Sequence, residues 1–164
     1  MASPAARRFS HCSAAVLRMA TRRISQFYDA YLAPEDLKVS QYSVLSTAAR
    51  RRERPPTVNE LAEELGMDRS TLGHNLRPLE RDGFVTLEPD AEDKRVRRVV
   101  VTERGYAKRA ACRKLWAVAQ GRFEDAFGAH RAEELANLLA FIARDLELET
   151  PPAGSAEGYP DHAR

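Results

Sequence analysis

The chain has 164 residues, of which 43% are hydrophobic and 30% charged, a balance typical of one globular domain with attached helices. It has no apolar run near the roughly 20 residues that span a bilayer and no apolar secretion signal, so we expect a cytoplasmic protein. The net charge is only +2, but residues 1–60 hold ten Lys/Arg against five Asp/Glu, whereas residues 132–164 hold two against seven. Only part of the molecule is therefore expected to face a polyanion.

Two helices are predicted in the first third of the chain. Apolar residues at spacings of three and four predict a long helix from about Ser10 to Leu32, which Pro34 closes. Ser40 is the predicted N-cap of a second helix, from Gln41 to about Arg51.

A short helix, a tight turn and a longer helix are predicted next. Thr57 and Glu60 have the capping-box spacing at the start of the short helix, and Gly66 ends it. Asp68 is a good N-cap for the longer helix, which runs to about Asp82. This layout is that of a helix-turn-helix, whose second helix enters the major groove of DNA.

The longer helix has a predicted buried stripe formed by Leu72, Leu76 and Leu79. The opposite face carries cations and short hydrogen-bonding groups, the types that bind guanine edges and phosphates. The predicted DNA contacts on this helix are Arg69, Ser70, Thr71, Gly73, His74, Asn75 and Arg77. A solvated face is the alternative for the charged residues, and a local hydrogen bond is the alternative for Asn75.

A basic hairpin is predicted after Gly83, with strands at 84–88 and 96–101 around a polar loop. A basic loop beside a recognition helix can reach the minor groove, where negative potential attracts arginine. The predicted DNA contacts here are Lys94, Arg95 and Arg97, with Arg95 the foremost. Arg97 or Arg98 is alternatively an internal salt-bridge partner, and Asp90 and Asp93 are expected to pair with neighbouring arginines.

Two further helices are predicted, one from about Glu103 to Phe127 with Thr102 as its N-cap, and one from about Arg131 to Leu148. Gly128 separates them. The terminal helices have no evident partner within the central unit. A flexible N-terminus over residues 1–9 and a disordered tail over 149–164 complete the chain.

One long run resembles the DNA-binding lobe of the MarR family of transcriptional regulators: TVNELAEELGMDRSTLGHNLRPLERDGFVTLEPDAEDKRVRRVVVTERG. The upstream run FYDAYLAPEDLKVSQYSVL resembles the first two helices of that family, so the resemblance covers about residues 10–148. It implies a mainly α-helical fold with a small β-hairpin wing. Residues 40–102 would form the winged helix-turn-helix lobe, and residues 10–39 and 103–148 the dimerisation helices.

The resemblance also implies a homodimer that binds a pseudo-palindromic DNA operator. This chain has Gly73-His74 where close relatives often have Thr-Arg, which bears on the operator sequence and not on the mode of binding. The implied function is that of a repressor released by a small aromatic or phenolic acid, bound in a crevice between the two lobes.

The candidate effector residues are His11, Arg18, Arg22 and Tyr42. An arginine can clamp a carboxylate with two hydrogen bonds, and His or Tyr can bond a ring hydroxyl. Surface salt bridging is the alternative for each arginine.

Two other regulatory interpretations remain open. Cys12 would sense oxidants if nearby cations such as Arg8 and His11 favoured its thiolate, whereas a small packing residue is the plainer interpretation. Alternatively, the winged helix would dock another protein. Cys112 is expected to pack in a helix. The chain lacks a recognisable catalytic triad, phosphate loop or metal-ligand spacing, so we expect neither an enzyme nor a cofactor.

Overall fold

The computed structural model describes residues 12–148. The elements are α1 (Ser13–Leu32), a short 3-10 helix (Ala33–Glu35), α2 (Val39–Ala48), α3 (Val58–Glu64), α4 (Arg69–Arg81), β1 (Val85–Pro89), β2 (Arg97–Val101), α5 (Glu103–Phe127) and α6 (Ala129–Arg144). This order confirms the predicted fold class, mainly helices with one antiparallel hairpin. The predicted flexible N-terminus, the predicted tail and His11 lie outside the described residues. Within them, no helix combines the length and apolar character of a membrane span.

Three predicted N-caps are confirmed. The Thr57 hydroxyl accepts the Glu60 N–H at 3.1 Å, and the Glu60 carboxylate accepts the Thr57 N–H at 2.7 Å. Asp68 accepts the N–H of Thr71 at 2.8 Å, and the Thr102 hydroxyl accepts the N–H three residues further on at 3.0 Å. These local bonds satisfy backbone donors that have no partner inside the helix, so they fix where α3, α4 and α5 begin.

The predicted helix ends are also confirmed at two glycines. Gly83 (φ +71°) follows α4, and Gly128 (φ +94°) follows α5, so both adopt a conformation that costs other residues energy. The helix α4 continues through Pro78 to Arg81. Its leucine stripe is buried as predicted: Leu72, Leu76 and Leu79 are 0%, 3% and 0% exposed.

The predicted start of α2 is wrong. The helix begins at Val39 with Lys38 as its N-cap, so Ser40 lies inside it. The Val39 N–H donates to Asp29 of α1 at 2.7 Å, and the Lys38 N–H donates to the Gln41 side chain at 2.8 Å. A partner from another helix therefore satisfies the first turn and moves the cap two residues upstream.

The bounds of α2, α6 and the two strands also differ from the predictions. The helix α2 ends at Ala48, not near residue 51, because the next N–H groups form tight turns to carbonyls three residues earlier. The helix α6 spans 129–144, not 131–148, because Gly128 both ends α5 and accepts the first backbone bond of α6. At its other end, Phe141 accepts two successive N–H groups. The strand β1 is displaced by one residue, and β2 begins one residue later than predicted but ends at Val101 as predicted.

The winged-helix lobe packs α2, α3, α4 and the hairpin around one buried core, which also takes in Leu32 at the end of α1 and Cys112 of α5. In the hairpin, Val85 pairs with Val101 and Leu87 with Val99. The Val99 N–H also donates to the carbonyl of Pro56 at 2.8 Å, which ties the wing to the segment between α2 and α3. The outer face of α4 and the hairpin are thereby held on a rigid base.

The helices α1, α5 and α6 form the second part of the molecule. The Tyr28 hydroxyl donates to Gln120 at 2.5 Å, joining α1 to α5, and Lys108 pairs with Glu35 at 2.8 Å. Many apolar side chains here are exposed: Val16, Met19, Val118, Phe127, Leu138, Leu139, Phe141 and Ile142, with Leu146 and Leu148 beyond the end of α6.

Candidate nucleic-acid interface

The outer face of α4 presents polar side chains opposite its buried leucines. Arg69, Ser70, His74 and Arg77 are exposed. Gly73 lies among them, and a Cβ built on it would meet nothing within 4 Å. Since glycine in a helix costs about 1 kcal/mol relative to alanine, its presence is not explained by packing within this chain.

Two of the predicted contact residues form hydrogen bonds within their own helix. The Thr71 hydroxyl donates to Asp68 at 2.6 Å, and the Asn75 amide donates to the carbonyl of Thr71 at 2.8 Å. For Asn75 this is the local bond offered as the alternative to base contact. The side-chain and backbone bonds from Thr71 hold the pKa of Asp68 below its usual value, so the N-cap stays charged.

Asp90 organises the loop of the wing. It accepts the N–H groups of Glu92 and Asp93 at 2.8 and 3.1 Å and pairs with the Arg98 guanidinium. These backbone bonds, then the bond from Arg98, lower the pKa of Asp90. Arg98 also donates to the carbonyl of Pro55 at 2.6 Å, so its side chain is an internal partner and not a free cation.

The prediction that both aspartates pair with arginine side chains is confirmed for Asp90. For Asp93 it is wrong, because the partner of its carboxylate is a backbone group. Asp93 accepts the backbone N–H of Arg95 at 2.9 Å, because a turn brings its carboxylate onto the main chain. The Arg95 side chain is exposed, and so are those of Lys94 and Arg97.

A cleft of about 460 Å³ lies between α4 and the wing, and we call it the wing cleft. The structure brings together there five of the predicted contact residues: Arg69, Gly73, Arg77, Arg95 and Arg97. Four arginines thus line it, whereas Glu80 is the only acidic residue in its lining. A site of this kind attracts phosphate groups and can form paired hydrogen bonds with their oxygens.

The predicted effector residues are not brought together. A second cavity, of about 410 Å³, lies between the winged-helix lobe and the helices α5 and α6, and we call it the interlobe cavity. Tyr42 lines it, whereas Arg18 and Arg22 are exposed on α1 and are not among its lining residues. The sequence interpretation missed its arginines and its tryptophan: Arg50, Arg109, Arg113, Arg144 and Trp116.

The two cysteines have different environments. Cys112 is fully buried in the core, as expected, and burial, with the Glu35 charge, raises the pKa of its thiol to about 11. Its reactive thiolate form is therefore scarce near neutral pH. Cys12 is exposed, immediately before α1.

A helix-turn-helix followed by a hairpin with an arginine-rich cleft between them defines a winged-helix DNA-binding lobe. Residues 35–96 match the MarR family model. The structure of the M. tuberculosis transcriptional regulator MosR in complex with DNA is 32% identical, with 83% of this chain and all of that chain covered and a TM-score of 0.68. The chain belongs to the MarR family, whose members are DNA-binding transcriptional regulators and not enzymes.

Other relatives agree with this assignment. The repressor CouR bound to a 23-mer DNA duplex is 26% identical, with a TM-score of 0.75 over 87% of this chain and all of that chain. CouR from Rhodococcus jostii RHA1 bound to p-coumaroyl-CoA shares the fold at 22% identity and a TM-score of 0.71 over 86% and 98% of the two chains. An uncharacterised helix-turn-helix regulator of Bacillus subtilis, YybA, is 35% identical over 71 residues, which are 43% of this chain and only 45% of that relative.

Proposed function

We propose that two copies of this chain form a repressor that binds a pseudo-palindromic operator and is released by an anionic aromatic effector. The observation that carries the proposal is the wing cleft, where arginines from α4 and from the wing meet around Gly73. In this proposal α4 enters the major groove, and Arg95 at the wing reaches the adjacent minor groove. A DNA-binding role also implies a cytoplasmic protein.

The proposed division of labour on DNA follows from the bonds that each side chain already makes. Arg69, Arg77 and Arg97 would bind phosphates, and His74 would meet base edges from the exposed face of α4. Ser70 and Lys94 would add contacts with the sugar-phosphate backbone of the DNA. Thr71 and Asn75 would contribute less through their side chains, since both already hydrogen-bond within the helix.

Homodimerisation is supported by the apolar surface of the terminal helices. Both Leu138 and Phe141 lie on an apolar stretch of α6. In the single chain they are nevertheless 62% and 49% exposed. Exposed apolar patches of this kind mark protein interfaces. A second copy would cover these side chains and hold two α4 helices about one turn of DNA, roughly 10 bp, apart.

Effector release is supported by the position of the interlobe cavity. Its walls come from α2 and α3 of the winged-helix lobe and from α5 and α6. A ligand that contacts both parts favours some of their relative orientations over others. It would therefore shift the population of dimers toward α4 spacings that fit DNA poorly.

Footprinting on the DNA upstream of the gene, repeated with a panel of aromatic acids, tests the proposal. We expect two protected half-sites without an acid and loss of protection with an effective one. Binding that is insensitive to salt or to DNA sequence would instead favour a protein-docking adaptor. Loss of protection after peroxide, restored by thiol and absent in Cys12→Ser, would replace the aromatic effector with oxidant sensing.

A further inference from the structure

Positively charged side chains predominate among the residues that line the interlobe cavity. Four of its lining residues are arginines: Arg50, Arg109, Arg113 and Arg144. Among its lining residues Glu64 is the only one with a carboxylate. That carboxylate lies 4.0 Å from the side chain of Arg51, a residue that does not line the cavity. Like charges gathered around one space repel each other, and an anion bound among them would relieve that repulsion.

Two buried polar atoms that belong to residues of the cavity wall lack a hydrogen-bond partner. Across the part of the chain that the structure describes, Arg109 Nε and Ser46 Oγ are the buried side-chain nitrogen and oxygen atoms without one. Both residues line the interlobe cavity. A buried polar atom without a partner destabilises a protein, so the walls of this cavity keep hydrogen-bonding capacity that a polar ligand would use once these side chains turn toward it.

The remaining walls of the cavity favour a flat ligand. Tyr42 is buried, and Trp116 is half-buried, and both line the cavity. Aromatic side chains bind planar rings through stacked or edge-on contacts. The volume of about 410 Å³ is within the range of small-molecule sites.

We propose that the interlobe cavity binds an aromatic ligand that carries at least two negative charges, such as an aryl dicarboxylate or an aryl phosphate. One carboxylate can form paired bonds with one guanidinium and would leave most of the positive charge unmatched. A second anionic group would reach the arginines that the first does not. The inference rests on the proposed function only in taking this ligand to be the effector.

Calorimetric titration of the full chain with three single-ring probes tests this inference: benzoate with one charge, and isophthalate and phenyl phosphate with two. At matched ionic strength we expect a dianion to bind at least about tenfold more tightly than benzoate. Comparison of isophthalate with phenyl phosphate identifies the preferred anionic group. Equal affinities for benzoate and both dianions, or no binding of any probe, would overturn the inference.

Variants test whether the preference for two charges comes from this cavity. Arg109→Gln and Arg144→Gln should each remove most of the dianion advantage, while Lys114→Gln, on α5 but outside the cavity lining, should keep it. Thermal unfolding checks the fold of each variant. Should Arg109→Gln fail to fold, Arg113→Gln takes its place, because its side chain is exposed. Equal losses in Lys114→Gln would contradict the assignment.

Titration of the same probes into the protein–operator complex separates the two proposals. If isophthalate binds through Arg109 and Arg144 but leaves DNA affinity unchanged, the effector part of the proposed function fails and the ligand class stands. If benzoate binds as tightly as the dianions and releases the operator equally well, the proposed function stands and the two-charge inference fails.

Discussion

The winged-helix lobe and the terminal helices use the same apolar residue types in opposite ways. In the lobe, Leu61, Leu72 and Leu79 are fully buried by elements of the same chain. On α6, by contrast, Leu138 and Phe141 keep about half or more of their surface exposed. The lobe therefore buries its leucines in a core to which α1 and α5 add Leu32 and Cys112, whereas α6 leaves apolar side chains exposed. We expect stability and DNA contact to depend on the first region and assembly to depend on the second.

The largest expected effect comes from the junction of the two regions. A Cβ on Gly105, in α5, would lie 2.0 Å from the carbonyl oxygen of Phe84 and 2.9 Å from Val101 Cγ1. Because backbone cannot move away cheaply, Gly105→Ala should lower the free energy of unfolding by about 3 kcal/mol. Urea denaturation measures this loss. Gly73→Ala is the matched control, since its Cβ has open space, and a loss of equal size there would contradict the explanation.

The second effect concerns assembly. Phe141→Asp places a charge on the exposed apolar face of α6, where burial of one such ring contributes about 1.5–3 kcal/mol per copy. We expect the dimer dissociation constant to rise at least about 100-fold while helix content stays the same. Light scattering and circular dichroism measure the two quantities. Asn137→Asp, a charge on a neighbouring polar residue, should leave the dimer intact; dissociation in both variants would argue against an apolar interface.

The third effect concerns DNA contact by the wing. Arg95→Ala should weaken operator binding by about 1–3 kcal/mol and leave the dimer unchanged. Fluorescence anisotropy over a range of salt concentrations should also show a salt slope reduced by about 1 if a phosphate contact is lost. Arg81→Ala is the control, because Arg81 pairs with Asp82 and does not line the wing cleft. Unchanged affinity in Arg95→Ala at matched salt would refute the wing contact.

The fourth effect combines a gain and a loss. Gly73→Ala should stabilise the free protein by up to about 1 kcal/mol, because alanine favours the helix and meets no neighbour. If the α4 backbone approaches DNA closely at this residue, the same change weakens operator binding. Thermal unfolding and anisotropy test the two halves. A variant that is more stable and binds DNA equally well would show that Gly73 is merely tolerated.

The smallest effect is the response of the lobe to acid. Among the described residues, the carboxyl groups whose pKa is lowered are Glu60, Asp68, Asp82 and Asp90, all in the winged-helix lobe. Because their folded pKa values lie below the unfolded ones, their stabilisation is complete above about pH 4 to 5 and is lost as pH falls further. Asp90→Asn should reduce this acid sensitivity in thermal unfolding. The same pH dependence in wild type and variant would exclude Asp90 as a contributor.

Much of this architecture is predictable because it depends on local bonds. Thr57, Asp68 and Thr102 cap helices through groups three residues away, and Gly83 and Gly128 end helices through their own backbone freedom. The start of α2 is different, since its first N–H is bonded to Asp29, ten residues upstream. No local pattern at Ser40 can reveal that bond.

The cations of the interlobe cavity are not predictable from the sequence for a related reason. The sequence predicts Arg18 and Arg22 on the first helix as its cations and Tyr42 on the second helix, and only Tyr42 lines it, whereas the cations come from α5, α6 and the end of α2. These segments are up to about a hundred residues apart and meet only in the folded chain. The one local signal was on α5, where Arg109 and Arg113 are four residues apart, on the same face as Trp116.

The mass of the protein on an operator duplex tests the central claim most directly. Two copies, joined through their exposed terminal helices, should bind one duplex, and scrambled DNA of equal length and charge should bind far more weakly. Native mass spectrometry on the half-sites found by footprinting should therefore show two chains per duplex. One chain per duplex, or equal occupancy of the scrambled duplex, would contradict the account.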